Sequence, residues 1–441
     1  MKLSKYNRVF KSPKHGYLLY NSLSNSFVSL DDESYKYLKS LEGKEDIEMS
    51  EDMASIQNLV ELKILTNSDL DEYYNIKYAV HRKRFASDTL YLTINPTLDC
   101  NFKCIYCFEG DSKSVLQMSD TVEHEIITFV KRLKTIKKIS VTWFGGEPLM
   151  AFNRVKSLTR KMLDIGIEYS ADMVTNGYLL KETVINELEE LKIGSLQITI
   201  DGTKEIHDKR RMLKSGRGTF EKIIENIDAL RSYSPITRLG IRVNIDEQNM
   251  DDYINIYNYL NDRYNINTDN KVFIYPGFVT GENNCVAGNC LFDRGRKIEF
   301  ANKLKKEHNV NVINTYPMDF RHECPMRNPF YYVIGPVGEI YKCWNDVGIK
   351  DKIVGSLIDK ENINEILLTR YAVAGDPFDD PKCKDCFHLP TCDGGCPHIR
   401  IANEFESKDE DVCDYIKGNV EEFLEIHYDS FLQEQAKKNN I

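Results

Sequence analysis

Ten of the twelve cysteines in this 441-residue chain fall into two patterns. The first, "CNFKCIYC", sets Cys100, Cys104 and Cys107 at C-x3-C-x2-C spacing. Thiolates this close in sequence can share one metal centre, but three do not complete it. A cubane iron–sulfur cluster takes four cysteines, and structural zinc takes four ligands. One coordination position is therefore left for something else. The second pattern runs from Cys324 over thirteen residues to Gly338 and over four more to Cys343. Cys383, Cys386, Cys392 and Cys396 follow at C-x2-C-x5-C-x3-C spacing, and Cys413 comes last. Cys285 and Cys290, in "GENNCVAGNC", stand between the two patterns.

The rest of the composition favours ligation over disulfides. The opening "MKLSKYNRVFKSPKHG" has no apolar core and no small-residue cleavage site, so no secretory signal is expected. In a chain kept in a reducing compartment, clustered cysteines are metal or cluster ligands rather than disulfides. A cytoplasmic protein is expected. No apolar run approaches the ~18 residues of a membrane helix, so no membrane partner is expected. The net charge of −10 disfavours nucleic acid, which calls for a basic excess.

These ligands need elements to position them. A chain of this length suggests two or three domains. Residues 1–85 read as a separate unit. "GYLLYNSLSNSFVSL" (Gly16–Leu30) is strand, polar turn, strand. "DDESYKYLKSL" is a helix capped by Asp31 or Asp32, and "MASIQNLVELKIL" is a second amphipathic helix. A hairpin followed by short helices is a winged-helix-like pattern. The charged "HRKRFASDT" (His81–Thr89) reads as the connector. From Leu90 six apolar strand segments alternate with helices: "LYLTIN", "ISVTWFGG", "DMVTNG", "SLQITIDG", "RLGIRVNID" and "KVFIYPG" are the strands. Six β–α units make a parallel sheet covered by helices, either an open doubly wound sheet or a partial barrel. In both, chemistry gathers at the C-terminal ends of the strands, and Cys100 follows the first strand. The expected boundaries are 86–310 for this β/α domain, 311–425 for a loop-rich cysteine domain and 426–441 for a C-terminal helix and tail. The loop-rich segment has too little core of its own and needs metal staples.

The C-x3-C-x2-C loop after the first strand of a β/α domain resembles the radical S-adenosylmethionine (SAM) superfamily. The resemblance covers roughly Leu90–Leu291 and implies a partial (β/α)6 barrel. It also implies that the three cysteines hold a [4Fe–4S] cluster whose open iron is chelated by SAM. Tyr106, before the third cysteine, is then expected near the adenine. "FGGEP" resembles the family's Gly-Gly-Glu element, with Gly145 and Gly146 letting the backbone approach the ligand and Glu147 accepting from the SAM ammonium. Thr199, in "ITIDG", is expected at the SAM ribose or carboxylate. Of the arginines in "HDKRR", Arg211 is favoured over Arg210 as the carboxylate clamp.

The second pattern resembles the SPASM domain of radical SAM peptide-modifying enzymes, whose spacing it follows throughout. That resemblance implies two auxiliary [4Fe–4S] clusters, three in all. Cys383, Cys386, Cys392 and Cys413 would hold the outer one, and Cys324, Cys343 and Cys396 the inner one. A fourth inner ligand would come from Cys285, Cys290 or a substrate thiolate. Residues 1–85 look like the winged-helix element that grips a leader peptide by strand addition. Together these imply an oxidoreductase that cleaves SAM to a 5′-deoxyadenosyl radical, with a flavodoxin, ferredoxin or other reductase as electron donor. It would abstract hydrogen from a ribosomally made precursor peptide with a leader, forming a thioether or carbon–carbon crosslink. No acid–base pair is expected beyond the cluster and SAM ligands. A sulfatase-maturing, formylglycine-generating enzyme is the alternative. That family places Asp directly after the cysteine equivalent to Cys343, where this chain has Trp344. A non-enzymatic electron carrier or zinc-binding adaptor is the alternative from another class.

Overall fold

The computed structural model describes residues 1–44, 46–47, 53–107, 116–233, 238–266, 271–279, 294–310, 324–392, 394–413 and 417–439. The chain divides into two compact units: 1–86 with 314–327 and 373–441, and 87–313 with 328–372.

In the first unit, β1 (Lys2–Leu3) pairs with β5 (Leu65–Thr66), and β2 (Asn7–Ser12), β3 (Gly16–Asn21) and β4 (Ser26–Leu30) form an antiparallel sheet in that order. The β3–β4 hairpin is the strand–turn–strand that its aromatic and polar residues forecast. α1 (Asp32–Leu41) starts where the Asp31 carboxylate accepts from Ser34 N, satisfying one of the unpaired donors at a helix start. α2 (Met53–Glu61) and α3 (Glu72–Phe85) follow. α3 corrects the expected connector: His81–Phe85 is its last turn. Three basic residues there suit the negative end of the helix, and Arg84 is buried against Asp376 at 2.6 Å.

The second unit is built on nine strands in the order β13–β12–β10–β9–β8–β6–β14–β15–β16. They are β6 (Thr89–Ile94), β8 (Lys138–Trp143), β9 (Glu168–Thr175), β10 (Ile193–Thr199), β12 (Arg238–Ile245), β13 (Val272–Phe278), β14 (Tyr331–Ile334), β15 (Glu339–Tyr341) and β16 (Gly355–Ser356). Two short strands, β7 (Phe102–Cys104) and β11 (Arg211–Leu213), pair with each other outside this sheet. The six forecast strands lie side by side in chain order and parallel. Right-handed crossovers that all step the same way put every helix on one face, so this is the singly wound partial-barrel arrangement rather than a doubly wound sheet. The sheet also extends beyond the forecast: β14 adds a seventh parallel strand beside β6.

The helices are α4 (Asp120–Arg132), α5 (Phe152–Leu163), α6 (Glu182–Ile185), α7 (Lys204–Arg210), α8 (Phe220–Tyr233), α9 (Tyr253–Tyr264) and α10 (Arg294–His308), with α11 (Glu365–Val373) further on. The helix forecast over "KETVINELEEL" shrinks to the four residues of α6 followed by turns. Apolar residues at helical spacing, Val122, Ile126 and Val130 on α4 and Val155, Leu158 and Met162 on α5, join alternate strand residues such as Leu92, Val141, Met173, Ile198 and Ile241 in one core. Cutting Leu158 to alanine would cost about 2–5 kcal/mol. In the first unit, α12 (Pro381–Lys384), α13 (Pro397–Phe405) and α14 (Val420–Asn439) complete the chain. α14 is tied to β2 and its turn by Arg8–Glu421 at 2.6 Å and Lys14–Asp429 at 2.8 Å. Among the described residues, β4 has a strand neighbour on one side alone. No described helix is long and apolar enough to cross a membrane.

Candidate functional site

The first cysteine loop leaves the C-terminal end of β6 and enters β7. Pairing of β7 with β11 sets Cys104 directly opposite Arg211. Cys100 is buried, and Cys104 and Cys107 are partly exposed. The Cys100 sulfur accepts from Phe102 N at 3.4 Å and, at 3.9 Å, from Asn176 Nδ2. Asn176 also donates to Asn101 Oδ1 at 2.8 Å. It sits in the "TNG" that ends β9, so the loop is fixed from a neighbouring strand end.

Gly145 and Gly146 pack closely against the cysteine loop. Gly145 has a φ of +110°, and a side chain there would strike Thr97 O; one at Gly146 would strike Leu98 O and Asp99 O. The glycines let the end of β8 lie against the backbone of the cysteine loop, where Gly146 N donates to Thr97 O at 3.1 Å and Glu147 N to Asp99 O at 2.9 Å. Glu147 is fully buried. Its carboxylate accepts from Leu149 N (3.0 Å), Thr175 Oγ1 (2.7 Å) and Asn176 N (2.7 Å). Burial pushes its pKa up, and the bonds from Asn176 and Thr175 work against that. Its bonds within the protein lock the ends of β8 and β9 together.

The geometry separates the two arginines of "HDKRR". Arg210 is bidentate to Asp246 (3.1 and 2.8 Å), and its Nε lies 3.5 Å from Asp201 Oδ2. Arg211 donates from Nη1 to Tyr106 Oη at 2.6 Å, and its buried Nε has no hydrogen-bond partner among the described residues. Burial opposes its charge, but Cys104, Tyr106 and Asp201 around it drive its pKa well above the usual value. Tyr106 Oη also accepts from Asn244 Nδ2 at 3.0 Å, and burial holds its phenol protonated. Thr199 ends β10, buried, in register with Arg242 of β12. His207 is buried and neutral: burial first, then Arg211 and Arg210, keep its pKa well below the ordinary range. Its Nδ1 accepts from Asp201 N (3.2 Å), which leaves Nε2–H to donate to Thr219 Oγ1 (3.0 Å); Thr219 Oγ1 donates to Arg211 O (2.6 Å). Sequence reasoning passed over Asn176, Asp201, His207, Asn244 and Asp246. The signal for Asn176, Asp201, Asn244 and Asp246 was position, because each is a polar residue at or just beyond the end of a buried apolar strand; His207 lies on α7 and had no such signal.

Of the C-terminal cysteines, Cys383 lies on the one-turn α12 and Cys396 caps α13, while Cys386, Cys392 and Cys413 lie in loops. Cys383 Sγ lies 3.2 Å from Arg400 Nη2, and Arg400 also holds Asp380 (2.8 Å). Burial pushes the Cys383 thiol up to about 11, with Arg400 opposing. Lys417 Nζ lies 3.3 Å from Cys413 Sγ, with Cys386 and Cys383 also in its field. Gly394 N donates to Cys392 Sγ at 3.3 Å. Cys324 and Cys396 lie in the first unit and Cys343 in the second. Cys285 and Cys290 fall outside the described residues. Among the described residues, no three His, Cys, Asp or Glu side chains are arranged as a metal site as they stand.

The donor chemistry around Cys100, Cys104 and Cys107 suits an anionic thiolate-bound group with a carboxylate-bearing ligand. Three thiols share one loop, backbone and amide N–H groups reach the Cys100 sulfur, and a buried guanidinium has an Nε–H with no partner among the described residues. The comparisons agree. Residues 94–260 match the model of the Radical SAM superfamily, so the chain carries a radical SAM domain. The chain is similar to the cysteine-type anaerobic sulfatase-maturating enzyme of Clostridium perfringens (strain 13 / Type A), at 23% identity over 77% of this chain and 96% of that protein. It is also similar to the serine-type anaerobic sulfatase-maturating enzyme of Bacteroides thetaiotaomicron, at 27% identity over 33% of this chain and 37% of that one. In fold it resembles native anSMEcpe solved with bound AdoMet and Kp18Cys peptide, with a TM-score of 0.58, 21% identity and coverage of 80% of this chain and all of that one.

Proposed function

We propose that this chain is a radical SAM enzyme that removes a hydrogen atom from a peptide substrate. The observation that carries the reading is the pairing of Cys104 with Arg211, which sets a charged guanidinium beside a three-cysteine loop inside a radical SAM domain. In this reading Cys100, Cys104 and Cys107 hold the SAM-binding [4Fe–4S] cluster. Arg211 takes the SAM carboxylate, Tyr106 and Thr199 border the nucleoside, and Gly145, Gly146 and Glu147 keep the loop in register. When bound, the cluster and SAM supply one-electron cleavage of SAM and the radical that abstracts hydrogen. The protein's part is to orient both ligands and exclude water. Cys383, Cys386, Cys392 and Cys413 would hold one auxiliary cluster, and Cys324, Cys343 and Cys396 another. A reduced flavodoxin or ferredoxin in the cytoplasm would donate the electron.

Two products fit. A crosslink in a ribosomally made peptide is supported by the N-terminal unit, where the open edge of β4 suits a leader peptide added as a strand. Oxidation of a cysteine to formylglycine is supported by the sulfatase-maturating relatives matched over 96% of their length. Against it, the half-exposed Trp344 stacks on Phe144 at 6.1 Å, and the nearby acid Asp346 is buried and accepts from Tyr371 at 2.6 Å. The test is anaerobic reconstitution with dithionite, SAM and cysteine-containing peptides. 5′-Deoxyadenosine is expected. A peptide product that has lost two hydrogens marks a crosslink, and a hydrazine-reactive aldehyde marks formylglycine. Absence of 5′-deoxyadenosine from a fully reconstituted protein would reject the reading.

A further inference from the structure

The face of the sheet opposite the helices is polar where a closed barrel would be filled with branched aliphatics. On β12, Leu239, Ile241, Val243 and Ile245 are buried in the helix-side core, so Arg242 and Asn244 point the other way. Register puts Thr199, Arg242 and Tyr275 in one row across three strands. Arg242 is partly exposed there. Its Nε donates to Asn244 Oδ1 at 2.8 Å. Among the described residues no carboxylate pairs with it, in contrast to Arg210. The guanidinium lies across Gly277, where any side chain would collide with its Nε, Cζ and Nη2 atoms. The protein thus holds a planar cation in place with a neutral amide and a glycine, and directs its outer N–H groups at no acid among the described residues.

Asn244 has a second bond, from Nδ2 to Tyr106 Oη, and Arg211 donates to the same oxygen. Arg242 is therefore three hydrogen bonds from Arg211, linked to Tyr106 of the cysteine loop through Asn244. We propose that Arg242 is the substrate anchor of this enzyme: it binds a carboxylate of the peptide, bidentate, while Arg211 serves SAM. The proposal rests on the radical SAM reading above for the identity of its ligand. It makes this chain selective for peptides with an acidic group near the reacting residue. Lysine would keep the charge but lose the planar fork. Glutamine would lose both.

The experiment is protection of Arg242 from phenylglyoxal in the anaerobic, reconstituted holoenzyme, read by mass spectrometry of the fragment that carries it. The probes are N-acetylglutamate α-amide for a side-chain carboxylate, N-acetylglycine for a C-terminal one, N-acetylglutamine α-amide as the neutral control, and SAM alone. Protection by either carboxylate but not by the amide is expected, and the stronger of the two names the source. In Gly277→Ala, where Arg242 is present but displaced, protection should need about 10- to 100-fold more carboxylate. Equal protection by acid and amide, or none by either acid, would overturn the proposal. Full protection by SAM alone would also overturn it, by assigning Arg242 to the cofactor. If the protein makes no 5′-deoxyadenosine but Arg242 is still protected by the carboxylate, the anion subsite stands and the radical SAM reading fails.

Discussion

The cysteine loop of the β/α unit is held by regular structure: a strand pairing at Cys104, two glycines packed under Thr97, Leu98 and Asp99, and a buried carboxylate that joins the ends of β8 and β9. The C-terminal cysteines sit in loops and short helical turns, with two cations beside them, Arg400 at Cys383 and Lys417 at Cys413. The first arrangement fixes backbone geometry before any ligand binds. The second leaves more of the geometry to whatever the thiols bind, as expected of a segment with little core of its own. One group is prebuilt by the fold, and the other leaves its geometry to be completed by what its thiols bind.

The largest test of that difference is Cys104→Ala against Cys392→Ala. Cys104→Ala should abolish 5′-deoxyadenosine formation, because it removes a proposed ligand of the SAM cluster; Cys392→Ala should spare cleavage more than peptide modification. Iron counting gives the same contrast. About twelve irons should fall to about eight when Cys100, Cys104 and Cys107 are all alanine. Equal retention of peptide modification in both single variants, or zinc in place of iron, would break the assignment.

Gly146→Ala sharpens it. The added carbon meets two backbone oxygens, which cannot swing aside as a side-chain tip can. The loop must shift, at about 1–3 kcal/mol. SAM-cluster iron should drop while C-terminal iron is kept. Full iron and wild-type cleavage would mean the glycine packing does not set the loop.

Asp376→Asn probes the first unit alone. Asp376 is buried with Arg84 (2.6 Å) and His81 (2.9 Å). Burial alone would raise its pKa, but Arg84, Phe378 N and His81 outweigh burial and hold it low. A depressed folded pKa gives stability that is present above the unfolded value, about 3.9, and lost as pH falls through the folded one. The asparagine variant should lose about 3–5 kcal/mol near neutrality and show a flatter acid limb in urea unfolding. An unchanged acid limb would remove this pair from the account.

How far the sequence reached follows from the same contrast. The six long strands and most of their helices were legible because each buries an unbroken apolar face; the helix over "KETVINELEEL" was the exception, reduced to α6. The cysteine patterns were legible because spacing alone carries them. β7, β11 and β14 were not, since three or four residues show no period and their partners are remote in sequence: Cys104 pairs with Arg211, and Tyr331 with Tyr91. His81–Phe85 looked like a connector because its charges hide a helix end, and the role of Arg84 depends on an aspartate 292 residues away. Gly145 and Gly146 were found by motif, but their packing against the loop of residues 97–99 could be read only from coordinates.

The smallest effect is expected from Lys417→Gln. Lys417 is one partly exposed cation near three thiols, and its pKa is raised chiefly by its bond to Cys413. Exposed pairs contribute at most about 1 kcal/mol, so C-terminal iron should be lost to a chelator about two- to fivefold faster. The SAM-cluster iron, held by strand pairing rather than by this charge, should leave at the wild-type rate. If both pools leave faster together, the two cysteine groups are not independently held, and the contrast between a prebuilt loop and a metal-completed one fails.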